Sequence, residues 1–122
     1  MLALSDPRLS NRDKRLMQTA IKLAEKSDCP QRHGAIVYKS GRILSTGINI
    51  YKNTPSDYIA ADGISVHAEI SALSRVSPEN LKGSTVYIAR RGRCSVHALS
   101  RPCPKCYEAL VKVGVKKIVY TD

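Results

Sequence analysis

The sequence contains no phenylalanine and no tryptophan, and among Phe, Trp and Tyr only tyrosine occurs, at six positions. Proteins that bind single-stranded nucleic acid commonly stack bases on aromatic side chains set among basic ones. The shortage of aromatics therefore favours a small-molecule ligand over a polymer. No apolar run approaches the roughly 20 residues of a membrane-spanning helix, and the N-terminal stretch lacks the apolar core and cleavage site of a signal peptide. We therefore expect an intracellular, cytoplasmic protein without a membrane partner.

Acidic residues are also scarce. Ten Asp and Glu stand against twenty Lys and Arg, which gives a formal net charge of +10 at pH 7. Such a surface attracts phosphates, nucleotides or nucleic acid, although a merely soluble basic protein fits this composition equally well. The 122 residues, 43% of them hydrophobic, predict one compact domain over residues 1–122.

Cysteines are few as well, and two of the four are close together. In a reducing compartment, a close cysteine pair is more often a metal or redox site than a disulfide. Cys103 and Cys106 form such a pair. Cys29 and Cys94 are interpreted as ordinary thiols, with a second-metal role left open for Cys94.

The spacing of apolar residues predicts an α/β fold. Strand, helix and strand alternate in the later half of the chain, which implies parallel strands joined by helical crossovers. Either Ser10 or Asn11 is expected to cap the first helix, and the long polar loop is a candidate functional segment. The predicted elements are a helix over Asn11–Lys26, a hairpin of Ala35–Tyr38 and Arg42–Thr46, a loop over Gly47–Ile64, a helix over Val66–Arg75, a strand over Thr85–Ala89, a helix over Pro104–Val113 and a strand over Lys117–Thr121.

Two short motifs carry the chemistry: SVHAEISAL at 65–73 and RPCPKC at 101–106. Cys103 and Cys106 are three residues apart at a predicted helix start, so both sulfurs can point to one spot. Together with the imidazole of His67 they suit Zn²⁺, and three protein ligands leave the fourth tetrahedral position open, as in catalytic zinc sites. At the first turn of its helix, Glu69 is able to reach over that position and transfer protons.

Two other interpretations of the cysteine pair are open. A lone C-x-x-C also occurs as a redox site, and a structural zinc would need a fourth ligand, for which Cys29, Cys94, His33 and His97 are available. The H-x-E and P-C-x-x-C halves together form the zinc-deaminase signature. Because both halves are present in that order, we favour the catalytic interpretation.

With these two motifs, the sequence resembles the cytidine and deoxycytidylate deaminase superfamily. The resemblance also covers the first helix, the RHGAIVYKSGRILSTGIN hairpin, VYIA and the closing VKVGVKKIVYTD. It implies a cytidine deaminase-like fold, a three-layer α/β/α sandwich whose mixed sheet has a β-hairpin followed by parallel strands. It further implies hydrolytic deamination of a cytosine nucleotide, dCMP or a related one, to the uracil form with release of ammonia.

The resemblance also implies roles for individual residues. The zinc ligands are His67, Cys103 and Cys106, and Glu69 is the proton shuttle. Ala68 is the small residue whose backbone can approach the base. Asn49 corresponds to an asparagine that contacts the sugar, although a polar turn residue is an equally good interpretation.

This chain departs from the family pattern in two places. It ends after the fourth predicted strand, so we expect the fifth strand to be absent and the open edge to be covered in a homo-oligomer. The segment between Asn80 and Tyr107 is rich in basic residues and has no acidic one. Four arginines there are candidates to hold a 5′-phosphate or a nucleic-acid backbone, unless they form a solvated loop: Arg90, Arg91, Arg93 and Arg101.

Tyr51 and Tyr58 in the long loop are candidates to stack on a base, although loop tyrosines more often pack on the domain. Two alternative functions follow from these features. One is a deaminase of cytosine or adenine in single-stranded DNA or RNA. The other is a non-catalytic, zinc-stabilised nucleotide-binding module, against which the intact Glu69 argues.

Overall fold

The computed structural model describes residues 1–27, 32–51, 65–66, 68–91, 97–98 and 104–121. At 50–51, 65–66, 97–98 and 104 it describes the backbone alone. The helices are α1 (Asn11–Ala24), α2 (Ala68–Leu73), α3 (Pro78–Leu81) and α4 (Pro104–Lys112). The strands are β1 (Leu2–Ala3), β2 (Arg32–Lys39), β3 (Arg42–Ile48), β4 (Ile50–Tyr51), β5 (Ser65–Val66), β6 (Thr85–Arg91), β7 (His97–Ala98) and β8 (Lys117–Tyr120). Among these helices, none is both long enough and apolar enough to cross a membrane.

One mixed sheet organises the structure. Its strand order is β1-β8-β6-β2-β3, with β7 paired to β6. Strand β2 is antiparallel to β3 and β6, whereas β6, β8 and β1 run parallel. The β2–β3 hairpin turns at Ser40 and Gly41, which both have positive φ. Type I′ hairpin turns require this conformation. The predicted hairpin followed by parallel strands is therefore confirmed.

Alternation along the strands divides the core into two clusters, one on each face of the sheet. Ile36, Tyr87 and Val119 pack with α1 residues such as Met17 and Ala20. Their strand neighbours Ala35, Val37, Val86, Ile88 and Ile118 pack with residues of α2 and α4. The sheet is thus a middle layer between α1 on one face and α2 and α4 on the other, as the sequence predicts.

A buried carboxylate anchors α1 to the sheet. Ser10 caps α1 in a capping box with Asp13, which confirms the predicted cap. Asp13 is 4% exposed, and it accepts hydrogen bonds from Tyr87 Oη at 2.6 Å and Lys117 Nζ at 2.7 Å. Burial alone would raise the pKa of Asp13, but these bonds and the one from the Ser10 amide outweigh it and hold the pKa at about 2. One side chain therefore joins α1 to β6 and β8.

The structure differs from the sequence prediction at short elements. Strand β1 pairs in parallel with β8, so it occupies part of the sheet edge that we expected to be open. Pro78 begins the short helix α3, where the sequence predicts only the end of the preceding helix. Strand β3 continues to Ile48, and β4 pairs with β5, so the predicted loop begins later than Gly47. Most of that loop, residues 52–64, lies outside the described residues.

Candidate active site

Two predicted site residues lie in the first turns of different helices. Glu69 is the second residue of α2 and Cys106 the third residue of α4. Their exposed fractions are only 4% and 3%. A buried carboxyl group at a helix start differs from the usual surface placement of acidic residues, since burying a charge is costly unless it is paired. Such groups are candidates for function rather than for solubility.

The two helix starts lie on the same face of the sheet. Ala68, which precedes Glu69, and Cys106 belong to one buried cluster, together with Ile88 of β6. The partial positive charge at the N-terminus of α4 favours the thiolate form of a cysteine in its first turn. The fold thus brings Ala68 and Cys106, one residue from each motif, to a common buried cluster from distant parts of the sequence.

Gly47, which was not predicted to matter for the site, determines how closely α2 packs on the sheet. A Cβ added to Gly47 on β3 would lie 2.6 Å from both Ala68 O and Ala72 N. The α2 backbone therefore rests directly on β3, which fixes the position of Glu69 relative to the sheet. Glycine inside a strand pattern is the signal for such a close backbone approach.

Asn49 is held firmly at the end of β3. It is 6% exposed, and its Oδ1 accepts a hydrogen bond from the His33 amide at 2.8 Å. Its own amide donates to His33 O at 3.3 Å, and Ser27 Oγ donates to Asn49 O at 2.7 Å. Asn49 is thus neither a solvated turn residue nor mobile at its backbone, and its role as a sugar contact stays a prediction.

Two of the candidate arginines are consecutive and point to opposite faces. Arg91 forms an ion pair with Glu25, the C-cap of α1. Arg90 lies on the other face, because successive side chains of a strand alternate and its neighbour in that face, Ile88, packs with α2 and α4 residues. Arg90 therefore shares a face with Glu69 and Cys106, whereas Arg91 does not.

The remaining candidates lie where the structure gives no side-chain position. For Tyr51 the backbone alone is described, paired with Ser65. No group of three or more His, Cys, Asp or Glu able to hold a metal occurs within the described ranges, which exclude two of the three predicted zinc ligands. Outside the described residues are His67, Cys103, Tyr58, Arg93 and Arg101.

Residues 10–122 match the family model of the cytidine and deoxycytidylate deaminase zinc-binding region. The chain belongs to this family. Among curated relatives, the deoxycytidylate deaminase of Mycobacterium phage D29 is 29% identical over 128 residues, covering 88% of this chain and 92% of that protein. The deoxycytidylate deaminase of Enterobacteria phage T4 is 24% identical over 151 residues, covering 88% of this chain and 76% of that protein.

Solved structures of the family agree with the fold. The apo dCMP deaminase of cyanophage S-TIM5 superposes with a TM-score of 0.71 at 28% identity, covering 92% of this chain and 84% of that one. Its complex with dCMP and dUMP gives a TM-score of 0.67 at 31% identity, over 93% and 83% of the two chains. The deaminase-like sandwich predicted from the sequence is therefore confirmed, and a deaminase activity is supported through the family.

The described part of the site is compatible with the zinc for which the family is named. Cys106 lies buried in the first turn of a nine-residue helix, where the partial positive charge of the helix start offsets the cost of burying a thiolate ligand. One imidazole and two thiolates form a donor set that Zn²⁺ prefers. His67 and Cys103, the other members of that set, flank described residues of α2 and α4 in the sequence.

A cleft of about 560 Å³ lies at the other end of the sheet. Its lining comes from the start of α1, the β2–β3 turn and the beginnings of β6 and β8, with Arg12, Lys39, Lys116 and Lys117 among its residues. Because Glu69 and Cys106 lie toward the opposite ends of these strands, the cleft is separate from the candidate active site.

Proposed function

We propose that this protein is a zinc-dependent hydrolytic deaminase that converts dCMP and water to dUMP and ammonia. The observation that carries the proposal is that buried Glu69 and buried Cys106 lie in the first turns of two helices on one face of the sheet. The S-TIM5 dCMP deaminase, 31% identical, has been solved with dCMP and dUMP, which supports this choice of substrate.

The metal would be held by His67, Cys103 and Cys106. A bound zinc ion supplies Lewis acidity, which lowers the pKa of water enough to make it a nucleophile near neutral pH. The protein's own residues would hold the substrate, exclude bulk water and move protons.

Glu69 would perform the proton transfers. Its carboxylate takes a proton from the attacking water and delivers it to ring N3 as the C4–O bond forms. It then passes the second proton of the water to the 4-amino group, and the C4–N bond breaks to release ammonia. The burial of Glu69 keeps this carboxylate away from bulk solvent, which strengthens its electrostatic interactions with the reacting ring.

Ala68 and Asn49 would shape the substrate pocket. Ala68 is fully buried within the cluster that α2 and α4 form with the sheet, so a larger side chain there would have to displace packed neighbours. Asn49 is held in place by its bonds to the His33 backbone, which would preorganise its carboxamide for a contact with the sugar.

The proposal is tested by incubating the purified protein with cytidine, CMP, deoxycytidine, dCMP and single-stranded DNA and RNA oligonucleotides. Ammonia release and uracil formation are the measurements, and we expect dCMP to be the best substrate. Product from oligonucleotides alone would instead identify a nucleic-acid deaminase. A zinc-loaded protein that forms no product from any of these substrates would be a binding module.

A pair of glutamate variants tests the role of Glu69. Glu69→Gln is expected to retain zinc and lose about 10²- to 10⁴-fold in kcat, the usual contribution of general acid–base catalysis. Glu108→Gln, an exposed position on α4, is the matched control and is expected to keep wild-type kcat. Substantial turnover by Glu69→Gln with normal zinc content would contradict the proton-transfer role.

A further inference from the structure

Arg90 has an unusual environment for an arginine. Its Nε is buried and has no hydrogen-bond partner among the residues that the structure describes. Its backbone amide, by contrast, donates to Thr121 Oγ1 at 3.0 Å, so the strand at this position is well anchored. A guanidinium group stays protonated in proteins, and a buried donor without an acceptor is costly. The side chain is therefore preorganised for an acceptor that other residues of the described chain do not supply.

The register of the sheet places Arg90 level with Asn49. Arg90 is paired with His33 across β6 and β2, and His33 exchanges hydrogen bonds with Asn49 at the end of β3. These three residues form a polar row across three strands. The next row on the same face, two residues away along each strand, consists of Ile88, Ala35 and Gly47.

That neighbouring row lies directly under α2, since Gly47 is in close contact with the backbone of Ala68 at the helix start. Arg90 is two residues beyond Ile88, which is about 7 Å along an extended strand. The guanidinium therefore belongs to the rim of the layer beneath α2, on the face of the sheet that carries Glu69. The same alternation directs Arg91 to the other face, where it pairs with Glu25.

We infer that Arg90 is the specificity-determining residue that binds the 5′-phosphate of the substrate nucleotide, and that Arg91 does not share this role. The inference rests on the proposed function and refines it, because it chooses one arginine of the basic segment by the face that its side chain occupies. A phosphate supplies anionic oxygens in the geometry that a guanidinium fork binds with two hydrogen bonds. The free nucleoside lacks that group.

The test compares kcat/KM for dCMP and deoxycytidine in the wild type, Arg90→Gln, Arg90→Lys and Arg91→Gln. Arg90→Gln should lose about 10- to 100-fold for dCMP, the range for hydrogen bonds to a charged group, and less than about threefold for deoxycytidine, which makes no such bonds. Arg90→Lys should fall between, since it keeps the charge and loses the fork. Arg91→Gln should leave the ratio of the two substrates near its wild-type value.

Equal losses on both substrates in Arg90→Gln, or the same change of ratio in Arg91→Gln, would overturn the inference. Dissociation constants for dCMP and deoxycytidine, measured by calorimetry on the same proteins with Glu69→Gln added so that substrate is not consumed, separate it from the proposed function. A wild type that binds dCMP through Arg90 but forms no product would refute the deaminase and retain the phosphate site. Thermal unfolding verifies that each variant is folded. If Arg90→Gln does not fold, Arg90→Lys takes its place in the comparison of the two substrates.

Discussion

Replacing Gly47 by alanine should move α2, the helix that carries Glu69. The added Cβ would lie 2.6 Å from Ala68 O and from Ala72 N. Both are backbone atoms of α2, so neither can rotate away as a side chain could. The φ of Gly47 is not positive, so alanine is compatible with the local backbone. The whole effect therefore arises from contact between β3 and α2.

The size of the effect follows from the distances. Ordinary contact begins at 3.4 Å, so α2 has to move away from β3 by about 0.8 Å, which is close to the 1 Å misplacement that costs on the order of 10²-fold in rate. Because Glu69 is the residue after Ala68, it moves with the helix. We expect kcat/KM to fall about 10- to 100-fold and the free energy of unfolding to fall by about 1–3 kcal/mol, the cost of overpacking a core.

Gly34 provides a matched control on the opposite face of the sheet. A Cβ added there would lie 2.5 Å from Ala20 O and 2.8 Å from Ala24 N, both in α1. Gly34→Ala should therefore destabilise the fold by a similar amount, about 1–3 kcal/mol. Since α1 carries no proposed catalytic residue, its kcat/KM should stay within about threefold of the wild type, far from the loss that a displaced catalytic group causes.

Urea unfolding and steady-state kinetics of both variants provide the comparison, with kinetics measured where each protein is fully folded. The reasoning is refuted if Gly34→Ala and Gly47→Ala lose the same activity, because the loss then follows stability rather than the position of α2. It is also refuted if Gly47→Ala is as stable and as active as the wild type.

Further predictions concern the anchor of α1, the end of α4 and the metal. The pKa of Asp13 in the folded protein is about 2, against an ordinary value of 3.8. Its contribution of about 2 kcal/mol to the free energy of unfolding should therefore be complete above pH 4 and lost as the pH falls toward 2. Asp13→Asn should remove this pH dependence from urea unfolding. Tyr87→Phe should lower the free energy of unfolding by about 1.5–3 kcal/mol, because a hydrogen bond to a charged acceptor is lost. Burial raises the pKa of Tyr87, so spectroscopic titration of the native proteins should not distinguish this variant from the wild type. Titration of the unfolded proteins should show one phenol fewer in the variant. Gly114→Ala should cost about 1 kcal/mol in the same unfolding assay, because φ is +88° there and alanine disfavours that region. Cys106→Ser should lower the zinc content measured by elemental analysis, and unchanged stoichiometric zinc would contradict its role as a ligand.

The long elements could be predicted from the sequence because several signals agree there. Helix α1 has a regular apolar stripe and a capping residue, and the β2–β3 hairpin has a turn at Ser40–Gly41 between β-branched runs. Strand β1 could not be predicted in this way, since two residues carry no periodicity and their pairing depends on β8 at the far end of the chain. Helix α3 begins at a proline that, in sequence alone, equally well marks the end of the preceding helix.

The candidate residues of the site were easier to identify from the sequence than the contacts that position them. The spacing of the two motifs indicates Glu69 and Cys106, and the structure brings both to one buried layer. The different orientations of Arg90 and Arg91 were missed because the predicted strand stopped at Ala89, two residues before β6 ends. The bonds between Asn49 and the His33 backbone join separate strands, and such contacts have no pattern in the sequence.

The sheet also separates the residues that stabilise the fold from the residues proposed to act on the substrate. Asp13, Tyr87 and α1 hold one half of the molecule together, while Glu69, Cys106 and Arg90 belong to the other half. Substitutions that strengthen packing beneath α1 therefore have no direct route to the reacting atoms, so a more heat-resistant variant should be obtainable there without loss of turnover.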